Sequence, residues 1–325
     1  MTKPRLIAIP IFPGLQSLDA VGPGQVFGSA NQLMNREAYR IRFVATNAGP
    51  VATTAGFALT AEPLRAVSPK SIDTLIVPGG DDDGVRNALR DKALMTWIKS
   101  AAKNARRACS VCSGAFLLAA TGTLNGKRVA THWSATKDLA RVHPDLTVDP
   151  EAIYVNEGRC WTSAGVTTGI DMSLALLEAD HGRDAATAVA RQLVVYMRRP
   201  GHQTQFSATL NAQSASDDRL AKLAAWIETN LGKPLDVEAL AARAAMSPRT
   251  FHRHVREELG VSPAKFVEAI RLDAARRLLD ARTLDLARIA DRAGFSGPDH
   301  LIRAFARRFG MTPAAYRQMH GRPAP

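Results

Sequence analysis

The last hundred residues of this 325-residue chain carry the same passage twice, and that duplication leaves few folds open. The first copy runs from Ala241 to Phe266 (AARAAMSPRTFHRHVREELGVSPAKF) and the second from Ala290 to Tyr316 (ADRAGFSGPDHLIRAFARRFGMTPAAY). Phe251 falls on Leu301, Arg253 on Arg303, Val255 on Phe305, Gly260 on Gly310, Pro263 on Pro313 and Phe266 on Tyr316, an offset of 50 residues. Upstream, Ala244 meets Ala293 and Ser247 meets Ser296 at an offset of 49, so one inserted residue sits in a turn between two helices. Self-similarity over a whole supersecondary unit constrains architecture in a way that no single motif does.

Each copy reads as a helix-turn-helix. In the first, Val237, Leu240, Ala241 and Ala244 form one apolar stripe at helical spacing. Ser247 is placed to cap a second helix, with Pro248 at its first position. That helix buries Phe251, Val255 and Leu259 and stops at Gly260, leaving Arg249, His252, Arg253 and Arg256 facing outward. In the second copy Ile289, Ala290 and Ala293 pack and Gly294 makes the turn. Ser296 then opens a helix burying Leu301, Phe305 and Phe309, with Asp299, His300, Arg303 and Arg307 outside. A single copy would equally suit a helical bundle with a solvated basic face; two copies with matched caps, turns and arginines argue against that. Between them, Lys265 to Ala281 is helical by pattern and spans about 25 Å at ~1.5 Å per residue. A strut of that length would let one chain set two recognition helices in successive major grooves, about 34 Å apart.

The charge follows the repeat. From Arg219 onward there are 19 Lys and Arg against 11 Asp and Glu, whereas residues 1–218 carry 23 against 19. The surplus therefore sits where phosphates would be met. The length suits two domains, and 46% hydrophobic residues suffice for two cores. No apolar run reaches the ~18 residues that span a bilayer, no signal peptide opens the chain, and three cysteines make no disulfide framework. A reducing cytoplasm is the expected setting.

The first two hundred residues alternate strand and helix. Leu6–Phe12, Tyr39–Thr46, Ile72–Val77 and Ala108–Val111 read as strands. Helices are expected near Leu18–Gln25, over Leu89–Ala105 and Ala115–Thr121, and over Val166–Ala179 and Asp184–Arg198. Asn156-Glu157-Gly158 marks a hairpin. Such alternation predicts a mostly parallel sheet covered on both faces, with ligands at the carboxyl ends of its strands. Three loops lie there: Pro13–Gly24, Pro78–Gly84 and Cys112–Gly114. In Ser110-Val111-Cys112-Ser113-Gly114 a strand turns sharply into a helix, lifting the middle side chain toward the helix amides. A thiol held so is expected to be more acidic than a free one. A small cysteine packed at a tight turn is the plainer reading. Cys109 and Cys112 straddle a strand end, unlike a thioredoxin-type pair, and Cys160 reads as core. His202–Asp218 is polar and aperiodic, as a linker would be.

Residues 219–320 resemble the DNA-binding domain of the AraC family, through Ile289-Ala290, Gly294-Phe295-Ser296, Leu301, Arg303, Phe305, Gly310, Thr312-Pro313 and Tyr316. The resemblance implies base contacts from Arg249, His252 and Arg253 in one recognition helix, and from Pro298, Asp299 and Arg303 in the other. The Cys112 elbow, Gly79-Gly80 and Asp19 resemble the PfpI-type superfamily. With Leu18-Asp19, Pro78-Gly79-Gly80, Ser110–Leu118, Thr131-His132-Trp133 and Thr162–Gly165 they look like the GlxA-type subgroup of AraC regulators, which fuses the two domains. One departure bears on chemistry: protease-like members place a His directly after the elbow Cys, and here Ser113 stands there. His132, closing an expected strand over Lys127–Thr131, is an alternative that reads equally well as structural.

The expected architecture is an α/β sandwich of flavodoxin-like, PfpI type over residues 1–200, a linker over 201–218, and an all-α domain with two helix-turn-helix motifs over 219–325. The expected function is sequence-specific transcription regulation, with a small molecule sensed near Asp19, Gly79, Gly80, Cys112, Ser113 and His132. DNA contacts are expected from Arg249, His252, Arg253, Pro298, Asp299, Arg303 and Arg307. No catalytic residue, cofactor or metal is assigned. The expected partners are double-stranded promoter or operator DNA, a small-molecule effector, RNA polymerase and a second copy of the chain, with no membrane. The competing classes are a thiol hydrolase or isonitrile-hydratase-like enzyme with a DNA-binding tail, and a redox sensor built on Cys112.

Overall fold

Leu6 to Pro10 can be apolar throughout because the strand they form has parallel neighbours on both sides and helices over both faces. In the computed structural model, which describes residues 3–150, 152–195, 201, 218–281, 284–309 and 311–320, that strand is β1 (Arg5–Pro10). It pairs in parallel with β2 (Tyr39–Ala45) on one side and β5 (Thr74–Val77) on the other, Ile7 standing opposite both Ile41 and Thr74. The chain divides into two compact units, Met1–Gln205 and Phe206–Pro325. The expected linker over 201–218 lies almost wholly outside the described residues.

In the first unit eight strands form one sheet in the order β3-β4-β2-β1-β5-β6-β10-β9. Its inner strands, including β6 (Arg107–Val111) and β10 (Cys160–Ser163), run parallel. Both margins are antiparallel: β3 (Gly49–Ala52) on β4 (Ala58–Pro63), and β9 (Tyr154–Glu157) on β10. The hairpin expected at Asn156–Gly158 is thus present, Gly158 taking a positive φ of 67° in its turn. Strand order reverses at β1, with β2 laid to one side and β5 to the other. The crevice at the carboxyl ends of β1 and β5 is where such sheets hold ligands.

Two local readings change. The single helix expected over Leu89–Ala105 is two, α2 (Asp82–Arg90) and α3 (Lys92–Asn104). Asp91 separates them: its backbone N–H closes the first, and its carboxylate accepts the Leu94 amide at the start of the second at 3.0 Å. The strand expected over Lys127–Thr131 is only Arg128–Val129, paired with Thr147–Val148 in a separate two-stranded sheet. Beyond it side chains hold the backbone, the Ala130 amide donating to Thr162 Oγ1 and Thr131 Oγ1 donating to the Cys112 carbonyl. The two helices expected over Val166–Ala179 and Asp184–Arg198 are present as the segment Thr168–Gln192 broken at Gly182, whose φ is 83°; the expected end at Arg198 lies outside the described residues. Among those residues no helix is long and apolar enough to cross a membrane.

At the opposite, amino-terminal end of the strands, Asp180 is 2% exposed and meets three arginines. Arg107 grips both carboxylate oxygens at 2.8 and 3.0 Å, Arg5 and Arg106 lie at 2.8 and 3.1 Å, and the Tyr39 hydroxyl donates at 2.9 Å. Burial and the neighbouring carboxylate push the Tyr39 phenol well above its ordinary range. One carboxylate so ties β1, β2 and β6 to the helix it stands on.

The second unit is helical and repeats itself. Val237–Arg243 and Pro248–Leu259 form the first helix-turn-helix, and Leu286–Arg292 and Pro298–Phe309 the second. Asp236 and Asp285 cap the leading helices alike, each accepting a backbone amide at 2.8 Å. Ser247 caps the first recognition helix by accepting the Thr250 amide. The second begins at Pro298 rather than at Ser296, because the inserted residue is Gly297; Ser296 Oγ instead meets His300 Nδ1 at 3.1 Å. Gly260 ends the first recognition helix in the left-handed region, φ 70°, while its counterpart Gly310 lies outside the described residues. Helix Pro263–Ala281 runs between the modules and belongs to both cores. Phe266, Val267 and Ile270 enter the first, and Leu272, Ala275 and Leu279 the second.

Replacing Asp180 by Ala would leave the buried Arg107 uncompensated, a loss that typically costs about 3–5 kcal/mol. Urea unfolding of the full chain should show the first unit's transition weakened by that order, with the second unit's unmoved. A change below about 1 kcal/mol would remove Asp180 from the framework.

Candidate functional site

The elbow forms because Val111 ends a buried strand and Gly114 starts a helix of seven residues, leaving Cys112 and Ser113 to reverse the chain. Cys112 adopts φ 58°, a left-handed conformation that costs an L-residue about 1–2 kcal/mol. Its backbone is pinned on both sides, the N–H donating to Ser163 O at 2.9 Å and the carbonyl accepting from Thr131 Oγ1 at 2.9 Å. Close packing forces glycine around it. A Cβ on Gly165 would overlap Cys112 Cβ and come within 2.9 Å of Sγ, and one on Gly79 would stand 2.9 Å from Cys112 Cβ.

Asp19 comes from the first turn of α1 (Ser17–Leu33) and is completely buried. Its two oxygens accept the Gly79 amide at 3.1 Å and the Val166 amide at 2.7 Å, and the Cys112 thiol is a third partner. The Gly80 amide donates to Ser113 Oγ at 3.0 Å, and that hydroxyl faces the Gly80 carbonyl at the same distance. The structure thus brings together Asp19, Gly79, Gly80, Cys112 and Ser113. His132 follows Thr131, which bonds the Cys112 carbonyl; it is half-buried, lowered from its ordinary value by desolvation, and its Nδ1 meets Ser134 Oγ at 2.7 Å.

The electrostatics reverse one expectation. Burial first, and the Asp19 carboxylate second, push the Cys112 thiol up to about 12 rather than down. Helix amides and the Ser113 hydroxyl favour the thiolate, but desolvation outweighs them. Burial likewise raises Asp19 from 3.8 to about 6, against the lowering by its two amide donors. At neutral pH these directions favour an ionised carboxylate accepting from a neutral thiol. Among the described residues no group of three or more His, Cys, Asp or Glu is arranged to hold a metal ion.

The second candidate site is the pair of recognition helices. Arg249, His252, Arg253 and Arg256 are exposed on the first, and Pro298, Asp299, His300 and Arg303 on the second. Arg253 has only a loose contact with Glu257, 3.9 Å, and remains available. Arg307 is also exposed but bonds to Glu268 of the connecting helix, so it must exchange that partner before meeting a phosphate. Sequence alone gave no sign of this pairing, since Glu268 lies in another helix.

Comparison with known proteins places both halves. Residues 5–179 match the DJ-1/PfpI family, and residues 240–319 match a helix-turn-helix domain. The chain belongs to the DJ-1/PfpI family. Its fusion to the helix-turn-helix reader makes it a GlxA-like regulator: it is 30% identical to the HTH-type transcriptional regulator GlxA of Rhizobium meliloti, over 90% of this chain and 89% of that protein. It is 35% identical to the isonitrile hydratase of Pseudomonas putida over 56% of this chain and 75% of that enzyme. A crystal structure of a THiJ/PfpI family protein from Pseudomonas syringae superposes with a TM-score of 0.55 at 27% identity, covering 75% of this chain and 90% of that one. This DJ-1/PfpI family member is therefore a DNA-binding transcription regulator.

The raised pKa of Asp19 has a sign. The folded state holds this proton more tightly than the unfolded one, so the contribution is full below pH 4 and disappears as pH rises through about 6. Asp19→Asn should flatten the stability curve of the first unit between pH 4 and 6 by roughly 2–3 kcal/mol, one pKa unit being about 1.4 kcal/mol. Urea midpoints measured across that range would show it; parallel curves for the two proteins would refute the assignment.

Proposed function

We propose that the first unit senses a small molecule at the Asp19–Cys112 elbow and that occupancy there controls transcription through the two recognition helices, without turnover. The observation that carries this reading is the setting of Cys112, a buried thiol between the fully buried Asp19 carboxylate and Ser113, which burial pushes up to about 12. Acyl transfer needs a thiolate or an adjacent base. Ser113 stands beside the thiol, and His132 bonds elsewhere. A polar pair at the carboxyl ends of the strands, flanked by Gly79 and Gly80, suits reversible binding of a small polar molecule. The reading calls for a cytoplasmic protein with a second copy of the chain and RNA polymerase as further partners.

A second reading has one observation in its favour. A carboxylate raised to about 6 is suited to general-base work, and Asp19 would activate water rather than Cys112 attacking directly. Cys112→Ser separates the two. For a sensor, the variant should stay folded and still regulate a reporter, with an altered effector response and no turnover of isonitriles or amides in either protein. Wild-type turnover that survives in Cys112→Ser but disappears in Asp19→Asn would favour the enzyme.

For the reader, Arg253 and Arg303 occupy equivalent exposed positions, one in each module, and arginine is the side chain best shaped to grip guanine edges. Arg253→Ala and Arg303→Ala should each cost roughly 1–3 kcal/mol on the specific site and much less on random DNA. Gel-shift titrations in which both DNAs weaken equally would reassign these arginines to phosphate contact.

A further inference from the structure

The two helix-turn-helix modules have separate cores, and helix Pro263–Ala281 contributes one half to each. A shared helix alone leaves two modules free to roll about it. Two ties from this helix cross from its own half to the opposite module, and a third leaves its midpoint. Glu268, in the half packed on the first core, bonds Arg307 of the second recognition helix. Arg277, in the half packed on the second core, donates to Glu228 of the first module's helix Asp218–Thr229 at 2.7 Å. Arg271, between them, donates from Nη2 to the Leu231 carbonyl of the first module at 3.3 Å.

The third tie lies where the modules touch directly. Gly294, the turn of the second helix-turn-helix, sits against Leu231 so closely that a Cβ there would overlap the Leu231 carbonyl oxygen and approach Arg271 Nε to 2.8 Å. Arg271 is desolvated at this junction, which lowers its pKa, and its buried Nε has no hydrogen-bond partner. Gly294 also adopts φ 77°, but the turn itself does not demand glycine. Its counterpart in the first module is Ala245, at φ 54°. An alanine is accepted where no second module abuts, so the contact with Leu231 is what excludes a side chain at 294.

We infer that Gly294 and Arg271 are positioning residues that set the spacing and roll of the two recognition helices, so that the reader accepts one separation between its two DNA half-sites. The inference rests on both helices reading DNA, as proposed above. A methyl at 294 must push the modules apart or rotate them. Neither residue is on the outer face of a recognition helix, so each acts on DNA binding only through geometry.

The test uses the full chain and a duplex selected by the wild-type protein from a random double-stranded library. Variants of that duplex carry one base pair added or removed between the half-sites, or one half-site scrambled. Gly294→Ala should weaken binding to the selected duplex tenfold or more, leave binding to a single half-site within twofold, and move or broaden the preferred spacing. Arg271→Met, which keeps length but loses the tie, should broaden the spacing preference in the same assay with helical circular dichroism unchanged. A spacing preference identical to wild type in both folded variants overturns the inference, as does an equal loss on full and half sites. Arg253→Ala and Arg303→Ala on the selected duplex report separately on the underlying reading. If both weaken it while Gly294→Ala does not alter spacing, only the positioning role fails.

Discussion

The first unit depends on one buried carboxylate. Asp19 joins the start of α1 to the loop after β5 through Gly79, to the segment after β10 through Val166, and to the elbow after β6 through Cys112. Strands placed side by side by the sheet are thereby locked at their carboxyl ends. An isolated buried charge is costly, and two amide donors with a thiol offset that cost only in part, which is why Asp19 rises toward neutrality. The same shortfall keeps the thiol protonated. A carboxylate held near the edge of ionisation beside a protonated thiol suits a site that responds to what enters it. The proposed sensor role and the protonated thiol thus share one physical origin.

The second unit depends on a different economy of parts. One helix serves two cores, and the modules it joins approach until a backbone carbonyl fills the space of a side chain at Gly294. Duplication supplies two recognition helices within one chain, where a simple helix-turn-helix protein needs a dimer. Relative placement then becomes an intramolecular property, carried by the connecting helix and its crossing ties.

Much of this was legible in the sequence. The buried parallel strands announced themselves as apolar runs ended by Pro78-Gly79 or by Cys112-Ser113, and the repeat registered to the residue because caps and turns recur at fixed offsets. Ala245 and Gly294 could be aligned from sequence, yet the reason for their difference could not, since Leu231 reaches Gly294 only in three dimensions. The β3–β4 margin escaped notice because its short strands are built of small and polar residues with little alternation. Asp91 reads as one polar residue within a helical pattern until its carboxylate is seen to cap the next helix. The acidity of Cys112 was misjudged for a related reason. Sequence shows the helix amides that lower a thiol's pKa, whereas burial and the placement of Asp19 beside it emerge only on folding. The Asp180 cluster was invisible on the same grounds, its four partners coming from three separate stretches of the chain.

The two recognition helices of one chain are proposed to read two successive major grooves on one face of DNA. Hydroxyl-radical footprinting of the full chain, on a fragment carrying a single bound protomer, tests it most directly. The account predicts two protected patches on the same face, about 10 base pairs apart, centre to centre. A single patch, or two patches on opposite faces of the duplex, would contradict it.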